Sequence, residues 1–237
     1  MKFETPLISG KLIKRYKRFL ADVELEDGKI ITAHCANSGS MLSLNVPGAR
    51  VWLTPNDDPK RKLKYTWEII EIGKAMVGIN TQHPNRIVAE AIEAGEIPEL
   101  TGYKNLKREV KYGENSRIDI LLSGPNKPDC YVEVKNVTMK RGKNKNDPAE
   151  FPDAVTARGS KHLVELAGMV KAKKRAVMFY LVQRTDGKSF TLASDIDPVY
   201  AKEFNKARKA GVEIIAYGCQ ITPNKISISG PCAIVGL

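Results

Sequence analysis

The stretch from residue 116 to residue 135 constrains the fold of this chain more than any other. Two β-prone runs, Ser-Arg-Ile-Asp-Ile and Tyr-Val-Glu-Val-Lys, flank a turn rich in Gly, Pro and Asn at residues 124–128. This pattern predicts a β-hairpin with one acid on each strand, Asp119 and Glu133. Because side chains alternate along a strand, Glu133 and Lys135 share one face, and apolar side chains occupy the other.

Two carboxylates on neighbouring strands predict a site for Mg²⁺ or Mn²⁺. These cations take hard oxygen ligands and keep positions open for a phosphate oxygen and an attacking water. Lys135 would orient that water or offset charge on the phosphate in the transition state. We therefore expect Asp119 and Glu133 as metal ligands, with Lys135 as a catalytic partner. The alternative is an exposed edge strand, whose alternating charges prevent sheets from aggregating.

Charge and composition favour a polyanion as the binding partner. The chain carries 38 basic and 27 acidic residues, a net charge of +11 that divides as +4 over residues 1–82 and +7 over residues 83–237. Both halves can therefore meet nucleic acid. Neither a membrane-spanning run nor a signal-peptide pattern is present, and the four cysteines are scattered. These features predict a cytoplasmic protein with packed thiols and no membrane partner.

The periodicity predicts two domains. Residues 1–82 are typical of a small β-barrel, with β structure expected at 7–25, 30–33, 49–53, 63–72 and 75–79. Residues 83–237 alternate between helices and strands. Helices are expected at 86–94, around 160–170 and from Asp197 to about residue 210, and strands at 176–182 and 212–217. This half should form a mixed sheet with the acidic hairpin at its centre.

Basic segments mark candidate DNA contacts. Cations alternate with aromatic residues near the start of the chain and again near residue 62, a composition that suits phosphate neutralisation and base stacking. A polar segment at residues 140–148 predicts a mobile basic loop beside the metal site. A solvated surface explains each segment equally well when it is taken alone. The candidate DNA-binding residues are Arg15, Tyr16, Lys17, Arg18, Lys62, Lys64, Arg117, Lys140 and Arg141.

The small polar segment at residues 34–40 has two interpretations. Its backbone amides could bind a phosphate group, or its Asn and Ser side chains could simply stabilise a turn. A catalytic pair of His34 and Cys35 is excluded, because adjacent residues in an extended segment point to opposite faces.

Several segments resemble known families. The spacing of Asp119, Glu133 and Lys135 resembles the PD-(D/E)xK nuclease superfamily. The segments at residues 15–23, 34–41, 109–113 and 151–163 closely resemble the sugar fermentation stimulation protein A family. The second resemblance spans nearly the whole chain. It implies an N-terminal OB-type barrel, a C-terminal PD-(D/E)xK-like α/β domain of restriction-endonuclease type, and DNA binding.

The resemblance also implies further site residues. Glu109, in the family-like Glu-Val-Lys-Tyr-Gly segment, is a candidate catalytic residue, and Glu90 stands where the helix before the first core strand often carries an additional acid. The region after the Glu-x-Lys strand often contacts the metal-bound water or the DNA. Its candidates here are Asp153, Arg158, Lys161 and His162.

These observations favour a Mg²⁺- or Mn²⁺-dependent nuclease acting on DNA. Two acids at a DNA surface repel phosphate unless they bind a metal, and the sequence contains no recognisable helix-turn-helix for reading bases. The alternative is a factor that binds DNA without sequence specificity, regulates sugar (maltose) metabolism and does not cleave. A homodimer is compatible with either function.

Overall fold

A computed structural model describes residues 1–113 and 116–236; Glu114, Asn115 and Leu237 lie outside the described residues. The first part of the chain is entirely β. It contains β1 (Ile8–Tyr16), β2 (Leu20–Leu25), β3 (Ile30–Cys35), β4 (Arg50–Pro55), β5 (Tyr65–Ile72) and β6 (Ala75–Gly78).

The first five strands close into a barrel. They pair in the order β3-β2-β1-β4-β5, and a parallel pairing between β3 and β5 closes the ring, while β6 extends it from β5. Alternate side chains fill the interior, among them the fully buried Leu12, Val23, Leu53 and Trp67. This is the five-stranded barrel that the sequence predicts.

The barrel corrects one expectation. Residues 7–25 form two strands rather than one, because the chain turns at Lys17 and Arg18, whose φ angles are 48° and 62°. Two consecutive residues with positive φ match the twist of the flanking strands in a tight hairpin. The predicted basic segment therefore lies across the tip of the β1–β2 hairpin.

The second part of the chain alternates between helices and strands. It contains α1 (Pro84–Glu93), a short 3₁₀ turn (Pro98–Leu100), β7 (Asn105–Tyr112), β8 (Ser116–Gly124), β9 (Lys127–Val137), β10 (Ala149–Phe151), α2 (Ala157–Lys171), β11 (Arg175–Val182), β12 (Ser189–Leu192), α3 (Pro198–Lys209), β13 (Glu213–Thr222), β14 (Lys225–Pro231) and β15 (Ala233–Ile234). The three predicted helices and the two predicted strands are all present.

Six of these strands form one mixed sheet in the order β14-β13-β11-β9-β8-β7. The pairs β9–β11 and β11–β13 are parallel, and the others are antiparallel. The acidic hairpin, β8 with β9, lies one position away from the expected centre, which β9 shares with β11. Residues on one face of β9 pack with α1, and residues on the other face pack with α2 and α3.

The position of β9 inside the sheet contradicts the edge-strand alternative. Glu133 lies between β8 and β11, and only 2% of its surface is exposed. Its acidic side chain therefore faces the interior of the protein rather than open solvent.

The starts of α2 and α3 are tied together by one carboxylate. The Asp197 side chain accepts a hydrogen bond from Tyr200 N at 2.9 Å, as predicted for an N-cap, and its second oxygen accepts one from Thr156 N at 2.8 Å. Thr156 in turn caps α2 by accepting a hydrogen bond from Gly159 N at 3.0 Å. The first turn of α2 is thereby fixed against the sheet.

Candidate metal centre

Asp119 lies where the pairing of β8 with β9 is interrupted. The backbone register runs from Gly124 with Lys127 to Ile120 with Val132. Beyond that pair, Val134 N donates to Asp119 Oδ2 at 2.7 Å, so a side chain takes the place of the next backbone acceptor. The two strands separate here and leave room between them for a ligand.

Asn85, in the first turn of α1, holds the other oxygen of this carboxylate. Its Nδ2 donates to Asp119 Oδ1 at 2.7 Å and to Glu109 Oε1 at 3.2 Å. The sequence analysis missed Asn85, because an Asn near a helix start is ordinary and its contact with β8 is made only in the tertiary fold.

Glu133, on the central strand β9, lies beside Asp119, which is on β8. Its Oε1 accepts a hydrogen bond from Lys135 Nζ at 2.8 Å and contacts Nδ1 of His162. Its Oε2 is buried and has no hydrogen-bond partner among the described residues. A buried carboxylate oxygen without a partner is costly, so this atom marks a place for a cation or a water.

Burial and neighbouring charges shift the pKa values of both carboxylates. Burial and the neighbouring Glu133 carboxylate raise the pKa of Asp119 to about 6. Burial also pushes the pKa of Glu133 upward, but the Lys135 ammonium and the His162 ring outweigh burial and hold it below its usual value. A bound divalent cation would relieve the repulsion between the two acids.

The donor set fits a hard cation. In the part of the chain that the structure describes, no group of three or more His, Cys, Asp or Glu side chains is arranged to hold a metal. A cation bound here would take two oxygen ligands from the protein, Asp119 and Glu133, and its remaining positions would be open to water or substrate. Magnesium and manganese accept such a set, whereas a structural zinc site requires four protein ligands.

The acids open into a cavity of about 430 Å³ between the barrel and the α/β domain. The barrel contributes the loop at residues 37–39, and Thr81, Pro84 and Asn85 line the wall between the two halves. The α/β domain contributes Glu109, Asp119, Glu133, Val134, Lys135, Asn136, Thr138, Met139, Glu150, Phe151, Asp153, Arg158 and His162.

The structure brings together most of the predicted site residues. Glu109 follows Arg108, which pairs with Ile120, and it therefore lies beside Asp119. Its φ of 54° is in the left-handed region that non-glycine residues seldom adopt.

Asp153 and Arg158 also line the cavity. The Asp153 carboxylate accepts hydrogen bonds from Met41 N at 3.0 Å and from Ser40 Oγ at 3.2 Å. It thereby fastens the barrel loop to the α/β domain. Arg158 Nε donates to His162 Nε2 at 3.4 Å, and both residues lie on the cavity side of α2.

Two of the predicted site residues, Glu90 and Lys161, do not line the cavity. Glu90 is not in the cavity wall: its carboxylate forms ion pairs with the N-terminal ammonium of Met1 at 2.7 Å and with Arg86 at 2.7 Å. Lys161 points away from the cavity wall, with its Nζ 3.6 Å from Glu165 Oε1. Helical position alone did not distinguish these residues from those facing the site.

Arg15 has a structural role within the chain, and its DNA contact stays a prediction. Its guanidinium donates to the carbonyls of Asn37 at 2.9 Å, Gly39 at 2.9 Å and Ser40 at 3.3 Å, and to Arg18 O at 3.0 Å. It therefore holds the barrel loop in the cavity wall. The loop itself contains the predicted turn, in which Gly39 N donates to Asn37 Oδ1 at 2.9 Å.

Lys140 and Arg141 also form ion pairs within the chain. The Lys140 side chain is 4% exposed and its Nζ lies 3.5 Å from an Asp186 carboxylate oxygen. The Arg141 guanidinium binds both Glu150 and Asp195, at 2.7 Å and 2.6 Å. The burial of Lys140 removes it from the surface, whereas the Arg141 side chain is 36% exposed, and its DNA contact stays a prediction.

The remaining predicted DNA contacts lie at the surface of the barrel and the sheet. Lys17, Arg18, Lys62, Lys64 and Arg117 are exposed. Tyr16 is half-buried, and its hydroxyl donates to Asp22 Oδ1 at 3.0 Å.

No helix of the described residues is long and apolar enough to cross a membrane.

The fold and the site define an OB-type barrel joined to a restriction-endonuclease-like α/β domain that carries two neighbouring carboxylates, the buried Glu133 and the half-buried Asp119. A family model described as "Sugar fermentation stimulation protein RE domain" matches residues 82–225, and one described as "SfsA N-terminal OB domain" matches residues 13–79. The chain belongs to the sugar fermentation stimulation protein (SfsA) family. The expected fold class is confirmed, while the division at residue 82 stays a prediction.

Similar proteins cover almost the full chain. A sugar fermentation stimulation protein homolog of Rhodospirillum rubrum is 58% identical over 94% of this chain and 94% of the relative. The homolog of Maricaulis maris is 54% identical over 99% and 98%. Among solved structures, Pyrococcus furiosus SfsA in complex with Ca²⁺ is 28% identical, covers 99% of this chain and 97% of that chain, and superimposes with a TM-score of 0.86.

The role of Arg15 can be tested by hydrogen exchange. In Arg15→Gln the loop carbonyls lose their charged donor, whose hydrogen bonds are each worth about 1.5–3 kcal/mol. We expect the amides of residues 39 and 41 to exchange about 10- to 100-fold faster. Arg61→Gln is the control, since Arg61 makes one hydrogen bond, to Thr66 Oγ1 at 3.3 Å. Equal exchange in the two variants would show that Arg15 does not hold the loop.

Proposed function

We propose that this protein is a divalent-metal-dependent nuclease that holds Mg²⁺ or Mn²⁺ between Asp119 and Glu133. The observation that carries the proposal is the buried, unpartnered Oε2 of Glu133 beside a second carboxylate in one cavity. A fold stabilised only by packing and hydrogen bonds gains nothing from placing the buried Glu133 beside a second, half-buried carboxylate that repels it. A cation binding both of them offsets that cost.

A divalent cation bound here would polarise a phosphate oxygen and lower the pKa of a bound water. The similar SfsA of Pyrococcus furiosus was crystallised with Ca²⁺, another cation that takes oxygen ligands. That complex supports a divalent-cation site in this chain as well.

Lys135 is the residue best placed to act on the phosphate. Its side chain lies in the cavity wall, is 13% exposed and keeps its Nζ 2.8 Å from Glu133 Oε1. An ammonium group fixed in a partly dry cavity stabilises the negative charge that develops on a pentacovalent phosphate. Asn85 completes the opposite side, because its Nδ2 donates to both Asp119 and Glu109.

DNA is the proposed substrate because the exposed basic tip of the barrel adjoins the cavity. Lys17, Arg18 and Phe19 are exposed on the β1–β2 hairpin, with 47% of Phe19 accessible. The single guanidinium of Arg15 joins the carbonyl of Arg18 in this tip to those of the cavity loop. A DNA strand whose phosphates are neutralised by the tip would therefore continue directly into the cavity. Binding without cleavage is the competing outcome, and the experiments below distinguish the two.

Metal titration tests the acids directly. In Asp119→Asn and Glu133→Gln the cation loses a charged ligand, so we expect Mn²⁺ affinity measured by calorimetry to fall at least about 10-fold and nucleic-acid cleavage to be lost. DNA binding should persist or strengthen, since each change removes a charge that repels phosphate. Glu93→Gln is the charge-matched control on the exposed side of α1. Unchanged Mn²⁺ affinity in Asp119→Asn would refute the proposed metal site.

Lys135→Ala should separate metal binding from chemistry. The variant loses a hydrogen bond to Glu133 Oε1 but no metal ligand, and His162 still contacts that oxygen, so we expect Mn²⁺ affinity to fall less than in Glu133→Gln. Cleavage of an oligonucleotide under single-turnover conditions should slow by about 100-fold or more, the scale of losing one group that stabilises developing charge. Cleavage at the parent rate would exclude Lys135 from the reaction, and a parent protein that binds Mn²⁺ and DNA without cleaving would favour the non-cleaving function.

The basic tip can be tested through the salt dependence of binding. Each phosphate contact contributes about −0.7 to −0.9 to the slope of log affinity against log salt. We expect the double variant Lys17→Gln/Arg18→Gln to reduce the magnitude of the slope by about 1.5. The control Lys11→Gln/Lys29→Gln removes equal charge at the other end of β2, about 20 Å away. If both variants change the slope equally, the tip is not a specific contact.

A further inference from the structure

The Glu133 carboxylate is held on one side only. Lys135 Nζ and His162 Nδ1 both meet Oε1, while Oε2 has no partner among the described residues. A carboxylate held through one oxygen cannot rotate freely, so its second oxygen keeps a fixed direction. The groups around Oε1 therefore decide where Oε2 points.

The hydrogen-bond network assigns the tautomer of His162. Arg158 Nε donates to His162 Nε2 at 3.4 Å, so Nε2 acts as an acceptor. In a neutral imidazole the other nitrogen then carries the proton, and Nδ1–H donates to Glu133 Oε1. Lys135 Nζ lies 3.2 Å from the same Nδ1 and directs its own hydrogen bond to the carboxylate.

A rigid element presents the imidazole. His162 is 4% exposed, and it lies one turn after Arg158 on α2, which places the two side chains on one face. The first turn of this helix is fixed by Thr156 and Asp197. The ring thus reaches Glu133 from a helix whose start is doubly anchored.

We propose that His162 is a positioning residue, which donates Nδ1–H to Glu133 and thereby turns Oε2 toward the divalent cation. This inference rests on the proposed metal site and adds to it the group that orients one ligand. His162 does not act on substrate in this arrangement, because both of its ring nitrogens are engaged by Glu133 and Arg158. Arg158 sets the tautomer and, from its exposed position in the cavity wall, can face the phosphate with its terminal nitrogens.

Two amide substitutions separate this role from simple packing. The side-chain nitrogen of Asn takes the place of Nδ1 in the ring, and that of Gln takes the place of Nε2. His162→Asn therefore keeps a donor to Glu133, whereas His162→Gln removes it. Packing alone predicts no such asymmetry, since both replacements are polar and fill less space than the imidazole.

The readout is Mn²⁺ affinity measured by calorimetry, together with the midpoint of denaturant unfolding. Loss of a group that orients a metal ligand typically weakens affinity about 10- to 100-fold. We expect that loss in His162→Gln, and rescue to within about threefold of the parent in His162→Asn. Equal Mn²⁺ affinities in the two folded variants would overturn the proposal. A parent protein that binds no Mn²⁺ would instead remove the metal site on which the inference rests.

A measurement on the parent protein keeps the test decisive if either variant fails to fold. The chain has three histidines, so ¹⁵N spectra of the imidazoles can be assigned with His34 and His83 variants. At mildly alkaline pH we expect His162 to show a protonated Nδ1 and an unprotonated Nε2. A protonated Nε2 would overturn the assigned hydrogen bonds and the positioning role with them.

Discussion

The repulsion between two carboxylates in one cavity is the constraint on which the site depends. Asp119 is stabilised by Val134 N and Asn85, and Glu133 is stabilised by Lys135 and His162, so the two acids receive separate sets of donors. These donors come from α1, from β9 and from α2. The site therefore requires the two layers of helices on either side of the sheet, and no single element could build it.

The barrel completes the cavity as well as carrying positive charge. Asp153 in the α/β domain binds Met41 N and Ser40 in the barrel, and Arg15 holds the same loop from the barrel side. One loop is thus fixed by a carboxylate from one half and a guanidinium from the other. The loop is therefore held from both sides, and the same Arg15 guanidinium ties it to the basic hairpin tip through Arg18 O.

The features that local sequence determines were predicted well. Alternation and turn composition located the hairpin and its two acids, and the N-cap signal located the start of α3 at Asp197. Sequence failed where a role depends on a distant partner. Asn85 gave no signal, because only the fold brings α1 to Asp119. Lys140 gave a misleading one, since a cation in a polar segment looks solvated until its own burial beside Asp186 is known.

The interrupted pairing of β8 with β9 at Asp119 affects what conservation of this site among relatives can show about function. Asp119 replaces a backbone acceptor for Val134, so a lineage that abandoned the chemistry would still retain it to keep the two strands in register. Glu133 has no such role in the backbone pairing: its Oε1 binds the side chains of Lys135 and His162, its Oε2 supports no neighbour among the described residues, and its burial costs stability. Retention of Asp119 among homologues is thus weak evidence of activity. Under the proposed function, a change at position 133 would be the more sensitive marker of a relative that has lost it.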